Sequence, residues 1–78
     1  MDNQITNQVA DVIRKAVKQP KLELNIDTVA GDVEGWDSLR HIMIITDVEN
    51  AFGIKFDFME ILEMKSLGDI CRAVENHK

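Results

Sequence analysis

Apolar residues recur at helical spacing in separate stretches of this chain, punctuated by one proline and a few glycines. The first stripe is Ile5, Val9, Val12, Ile13, Ala16 and Val17. Steps of three and four place these side chains on one face of a helix. Asp2 or Asn3 is positioned to cap its start. Gln19-Pro20 stops it, because proline lacks an amide hydrogen and biases the preceding residue away from helix. The first helix is expected over about residues 3–18.

Asp37 opens the clearest helix. Leu39, Ile42, Ile45, Val48 and Phe52 follow at helical steps and are expected to face inward, and Gly53 supplies a left-handed closing residue with Ile54 behind it. This second helix is expected over about 38–52. Phe58 to Met64 form one or two further turns, with Ile61 and Leu62 inward. Ser66, with Asp69 three residues on, opens a last helix striped by Leu67, Ile70, Cys71 and Val74. Between the first two helices, residues 21–36 carry Leu22, Leu24, Ile26, Val29 and Val33 among polar residues and glycines. A strand there would have no partner strand, so an ordered loop pinned by its apolar side chains is expected. The fold class is all-α: a four-helix bundle with a short third helix and a long first loop, one domain over residues 1–78.

Composition narrows the function. A chain of 78 residues buries only roughly 60–65% of its unfolded surface, which leaves little for a core plus a deep enzymatic pocket. Its net charge of −5 has the wrong sign for nucleic acid, and it suits partners with basic surfaces. The single cysteine, Cys71, rules out an internal disulfide and a Cys-rich metal site, and its place on the last stripe reads as buried packing. Without disulfide or metal, helix packing must supply the stability. The N-terminus lacks the pattern of a secretory signal, and the run Ile42-Met43-Ile44-Ile45 is too short to span a bilayer. A soluble, cytoplasmic, monomeric protein is expected, with no membrane insertion.

The informative segment is Gly35-Trp36-Asp37-Ser38-Leu39. Ser38 falls one residue after the helix cap, where free backbone amides and the positive end of the helix dipole favour a nearby phosphate. A phosphodiester on Ser38 would sit well there, and a separate enzyme could make it. The plainer reading is a helix-start serine with no modification. His41 lies one turn beyond, so a Ser–His pair with Asp37 nearby is conceivable, but catalysis needs an aimed base, a group that orients it and an oxyanion site, and adjacent turns of one exposed helix offer no enclosed pocket. His41 is expected to be solvated or to contact a partner. Trp36 reads as a loop anchor. Asp27, Asp32 and Glu34 do not have calcium-loop spacing. Met43, Met59 and Met64 read as core or edge packing.

Asp37-Ser38-Leu39, Trp36 before it, and Val48-Glu49-Asn50-Ala51-Phe52-Gly53-Ile54 at the end of the second helix resemble the acyl carrier protein family over nearly the whole chain. The resemblance implies that Ser38, flanked by Asp37 and Leu39, carries a covalent 4′-phosphopantetheine transferred from coenzyme A by a phosphopantetheinyl transferase. It implies a carrier, not an enzyme. The carrier would hold acyl intermediates as thioesters for acyl-loading, synthase and acyltransferase enzymes of fatty-acid, polyketide or specialised-lipid pathways. It also implies that the second helix is the recognition element, with Glu34, Asp37, Asp47 and Glu49 toward partners. Arg40 and His41 stand where the family is dense in acids, so Arg40, Ile42, Met43 and Ile44 join the expected contact surface, which becomes less electrostatic and more apolar. Ile45, Val48, Ile61, Leu62 and Ile70 are the expected lining for a tucked acyl chain. A peptidyl or aminoacyl carrier, and an unmodified helical adaptor binding through the second helix, are the alternatives.

Overall fold

Helices are held by what their apolar faces meet, and the computed structural model, which describes residues 3–77, shows three long faces meeting at one core. The elements are α1 (Asn3–Ala16), α2 (Ser38–Phe52), α3 (Phe58–Glu63) and α4 (Leu67–His77), with a short 3-10 turn at Ala30–Asp32 in the long loop. Among the described residues there is no strand. The fold is the expected all-α bundle. Helix α1 packs against both α2 and α4. Val9 and Ile13 of α1, Ile44, Ile45 and Val48 of α2, and Ile70, Cys71 and Val74 of α4 are fully buried between them. Burying a side chain of this size contributes about 1.5–3 kcal/mol.

Helix α1 ends two residues before the expected point. The Gln19 amide donates to the Arg14 carbonyl (2.9 Å) and the Lys18 amide to that of Lys15 (3.3 Å). Lys18 takes the left-handed conformation (φ 60°) that this double closure requires. The stop is thus made at Lys18, ahead of Pro20. At the other end, Asp2 and the Asn3 side chain lie outside the described residues.

Helix α2 keeps its expected bounds but presents a different face. Leu39 is 69% exposed and Ile42 50% exposed, whereas Ile44 is fully buried. The inward face runs through His41, Ile44, Ile45, Val48 and Phe52. Ile44 therefore leaves the expected contact surface for the core, Leu39 leaves the apolar stripe for the surface, and Ile42, which belonged to both the stripe and the expected contact surface, stands on the surface. The Gly53 cap forms as expected, in left-handed conformation, with the Ile54 amide on the Glu49 carbonyl (3.0 Å).

The long loop is strapped onto the α3–α4 junction. Ala30 donates to the Lys65 carbonyl (3.0 Å), Leu67 to that of Thr28 (2.9 Å) and Gly68 to that of Ile26 (3.0 Å). Val29 and Ser66 form an isolated antiparallel bridge within this strap. A Cβ on Gly68 would lie 2.7 Å from the Ile26 carbonyl oxygen, a contact that backbone cannot easily yield. Gly68→Ala should therefore cost about 1–3 kcal/mol by urea denaturation, as overpacking does. Gly31→Ala, which meets nothing within 4 Å, should stay within about 0.5 kcal/mol of the unmutated chain. Equal costs at the two glycines would dismiss the close approach as the reason.

Candidate functional site

The start of α2 is set by Asp37. Its Oδ1 accepts the Arg40 amide (2.8 Å) and its carbonyl accepts the His41 amide (2.8 Å). Among the described residues nothing engages the amides of Ser38 and Leu39 or the Ser38 hydroxyl, and both side chains are exposed. Ser38 thus stands at the first helical position with free donors around it.

Ser38 also lies on the rim of an open groove of about 720 Å³. One wall is the loop strap at Val29–Gly31, the second is α2 through His41 and Ile42, and the third is α3 through Phe58, Ile61 and Leu62. Trp36 closes its inner side and is 5% exposed, a loop anchor as expected. The groove corrects the expected cargo lining. Ile61 and Leu62 line it, but Ile45, Val48 and Ile70 are fully buried core residues away from it. Leu62, at 54% exposure, faces this opening and not the core. Met64 is buried, whereas Met43 and Met59 are exposed.

His41 is neither solvated nor free for contact. It is half-buried, and its Nδ1 accepts the Trp36 indole hydrogen (3.1 Å). Its Nε2 must then carry the ring hydrogen, which it donates to the Ile61 carbonyl of α3 (2.9 Å). Both ring nitrogens are spent, so His41 has no lone pair to offer Ser38 as a base. Sequence reasoning missed this role. The signal was a histidine at an inward position of an otherwise apolar face.

The expected partner-contact residues divide. Glu34, Ile42, Met43 and Asp47 are exposed. Arg40 instead reaches back to the Ala16 carbonyl at the end of α1 (2.9 Å), where a cation suits the helix dipole. Glu49 accepts the Phe56 amide (2.8 Å) and ties down the link after α2. Both are half-buried structural ties. Among the described residues no helix is long and apolar enough to cross a membrane, and no cluster of side chains suits a metal ion. Burial pushes the Cys71 thiol up, away from reactivity.

The fold and the site define a small helical scaffold with an unencumbered serine at a helix start. Comparison with known proteins agrees. The family described as "Phosphopantetheine attachment site" matches residues 4–74. An acyl carrier protein homolog of Ureaplasma parvum is 30% identical over 70 residues, covering 87% of this chain and 91% of that one. One from Mycoplasma genitalium is 36% identical over 62 residues, 80% of this chain and 62% of the longer relative. The solution structure of a holo acyl carrier protein from Geobacter metallireducens superposes with a TM-score of 0.84 at 27% identity, covering 94% of this chain and 84% of that one. The chain belongs to the phosphopantetheine-attachment family as an acyl carrier protein: a carrier, not an enzyme, whose prosthetic group is covalently bound phosphopantetheine.

Helix α3, the outer wall of the groove, is anchored partly by charge. The Asp57 amide on Glu60, with His77 beside it, holds the Glu60 carboxyl below its ordinary value of 4.5. The Lys65 amide, with Arg72 beside it, likewise holds Asp69 below 3.8. Both groups therefore contribute stability that is full above those ordinary values and is lost as pH falls through their lower folded-state values. Urea midpoints measured from about pH 5 down to pH 2 should fall. That fall should be shallower in Glu60→Gln and Asp69→Asn; an unchanged acid limb in both would mean these carboxyls do not titrate differently on unfolding.

Proposed function

We propose that Ser38 is the attachment residue and that the chain holds acyl intermediates, rather than aminoacyl ones, for enzymes of fatty-acid, polyketide or specialised-lipid biosynthesis. The observation that carries this reading is the free Ser38 hydroxyl on the rim of a groove walled by Val29, Ile42, Phe58, Ile61 and Leu62. The residues present fit the group. The exposed first turn of α2 leaves the amides of Ser38 and Leu39 open toward a phosphodiester. When attached, the arm supplies a terminal thiol on which an acyl group is held as a thioester.

The chain's own part is positional. Asp37 fixes the first turn, so Ser38 is presented on a rigid helix start. Among the described residues no base is aimed at the hydroxyl, so acceptance of the proton it loses on modification is assigned to the transferase. Leu39, Ile42 and Met43, exposed beside Ser38, form an apolar face for partner enzymes, with Glu34 and Asp47 as its acids. Because Arg40 and Glu49 are committed to backbone partners, the electrostatic share of docking is small. The groove offers an apolar cargo shelter close to its tether.

Incubation with coenzyme A and a broad-specificity phosphopantetheinyl transferase should add one phosphopantetheine by intact mass, and none to Ser38→Ala. An unchanged mass in the folded native chain with two different transferases would favour the unmodified adaptor. Loading an eight-carbon acyl group should then raise Tm above that of the unacylated holo chain, because a ligand bound only to the folded state stabilises it. No rise would place the cargo outside the groove.

A further inference from the structure

Helix α3 is six residues long, and Phe58, Met59 and Leu62 are all exposed, so its apolar hold on the core is confined to the half-buried Ile61 and to Met64, which closes it. Its attachment also runs through a few polar links. One of them joins it to the inner side of the groove. The Trp36 indole donates to His41 Nδ1, and His41 Nε2 donates to the Ile61 carbonyl of α3. The two ring planes are inclined by 23°, with centroids 6.0 Å apart, and the indole nitrogen lies 3.1 Å from His41 Nδ1. This is a relay of two hydrogen bonds from a buried loop residue, through α2, to the backbone of α3.

We propose that His41 is a positioning residue that sets the width of the groove beside Ser38. The position demands an acceptor and a donor on opposite edges of one rigid ring, and neutral imidazole supplies both. Trp36, buried at 5% exposure, fixes the inner end of the relay. The Ile61 carbonyl is the outer end, on a wall of the groove that has neither the broad apolar face of α2 nor the backbone strap of the loop. With the relay intact, α3 stands at a fixed distance from α2. With it broken, α3 is free to open. The consequence for cargo rests on the reading of Ser38 as the attachment residue; the relay itself does not.

The first test uses the unmodified native chain. Nitrogen-15 spectra of the His41 ring should show Nε2 protonated and Nδ1 bare; the opposite tautomer overturns the proposal whether or not any variant folds. Native-state amide exchange then separates positioning from general stability. His41→Leu should lower protection of the Ile61 and Met64 amides about five- to tenfold, the worth of one hydrogen bond, while amides of α1 and α4 stay near native. Trp36→Phe, which keeps an aromatic ring and loses the donor, should lower protection in the same α3 amides. His41→Gln, with acceptor and donor on one amide, should restore part of the loss. A uniform fall across all helices, or native α3 protection in Trp36→Phe, overturns the proposal. Finally, the Tm gain from an eight-carbon acyl group should shrink in His41→Leu. If native protein is not loaded at all, the Ser38 reading fails and the exchange results still decide the relay. If it loads and gains Tm equally in both proteins, the relay does not govern the groove.

Discussion

The closure of the long loop onto the α3–α4 junction is the constraint on which the rest of the structure depends. Three backbone hydrogen bonds join residues 26–30 to residues 65–68. At one end of the strap, Gly68 lets the Ile26 carbonyl approach where a side chain would stand. The strap does three things together. It satisfies backbone groups of a loop that has no sheet to join. It delivers Trp36 to the core, ahead of the Asp37 cap. It also makes Val29–Gly31 one wall of the groove whose rim carries Ser38. Within the loop, Asn25 Oδ1 accepts the Asp27 amide (2.8 Å) and Thr28 Oγ1 accepts the Asn25 amide (3.0 Å), so its polar residues build the turn that starts the strap.

The charged residues near the site mostly serve the fold. Arg40 caps the end of α1, Glu49 holds the link after α2, and Glu60 meets the Asp57 amide and His77. What α2 and α3 leave to the outside is largely apolar: Leu39, Ile42, Met43, Phe58, Met59 and Leu62. Exposed ion pairs contribute about 0–1 kcal/mol and are screened by salt, whereas covering one such apolar side chain contributes about 1.5–3 kcal/mol. On the docking face proposed above, shape and apolar area would outweigh charge, even though the whole chain carries −5.

Much of this was legible in the sequence. The apolar steps named all four helices. Asp37 and Gly53 marked both ends of α2, and Trp36 and Cys71 read as buried. The phase of α2 was not legible. Ile42, Met43, Ile44 and Ile45 are four apolar residues in a row, so the stripe can be drawn through Leu39 and Ile42 or through His41 and Ile44. A polar ring marks the true inward side, and composition counts that ring as surface. The strap was equally hidden, because backbone pairing between residues 26–30 and 65–68 leaves no periodic trace. Its one trace was Gly68, a glycine in the first turn of a helix, where only a neighbour's close approach explains the missing side chain.

Stability is divided unevenly, and the division suits a carrier. The faces of α1, α2 and α4 are sealed by fully buried Ile, Val and Cys side chains. These carry the fold. Helix α3 hangs on two polar links, the His41 ring on the Ile61 carbonyl and the Glu60 carboxylate on the Asp57 amide and His77, with the half-buried Ile61 and the buried Met64 as its apolar hold. Segments with few buried apolar contacts open at lower cost than the core. The wall with the fewest buried apolar contacts is thus α3, across the groove from the helix that presents Ser38. A bundle sealed equally on every side would hold its shape as well, but it would have no side from which to admit an apolar chain.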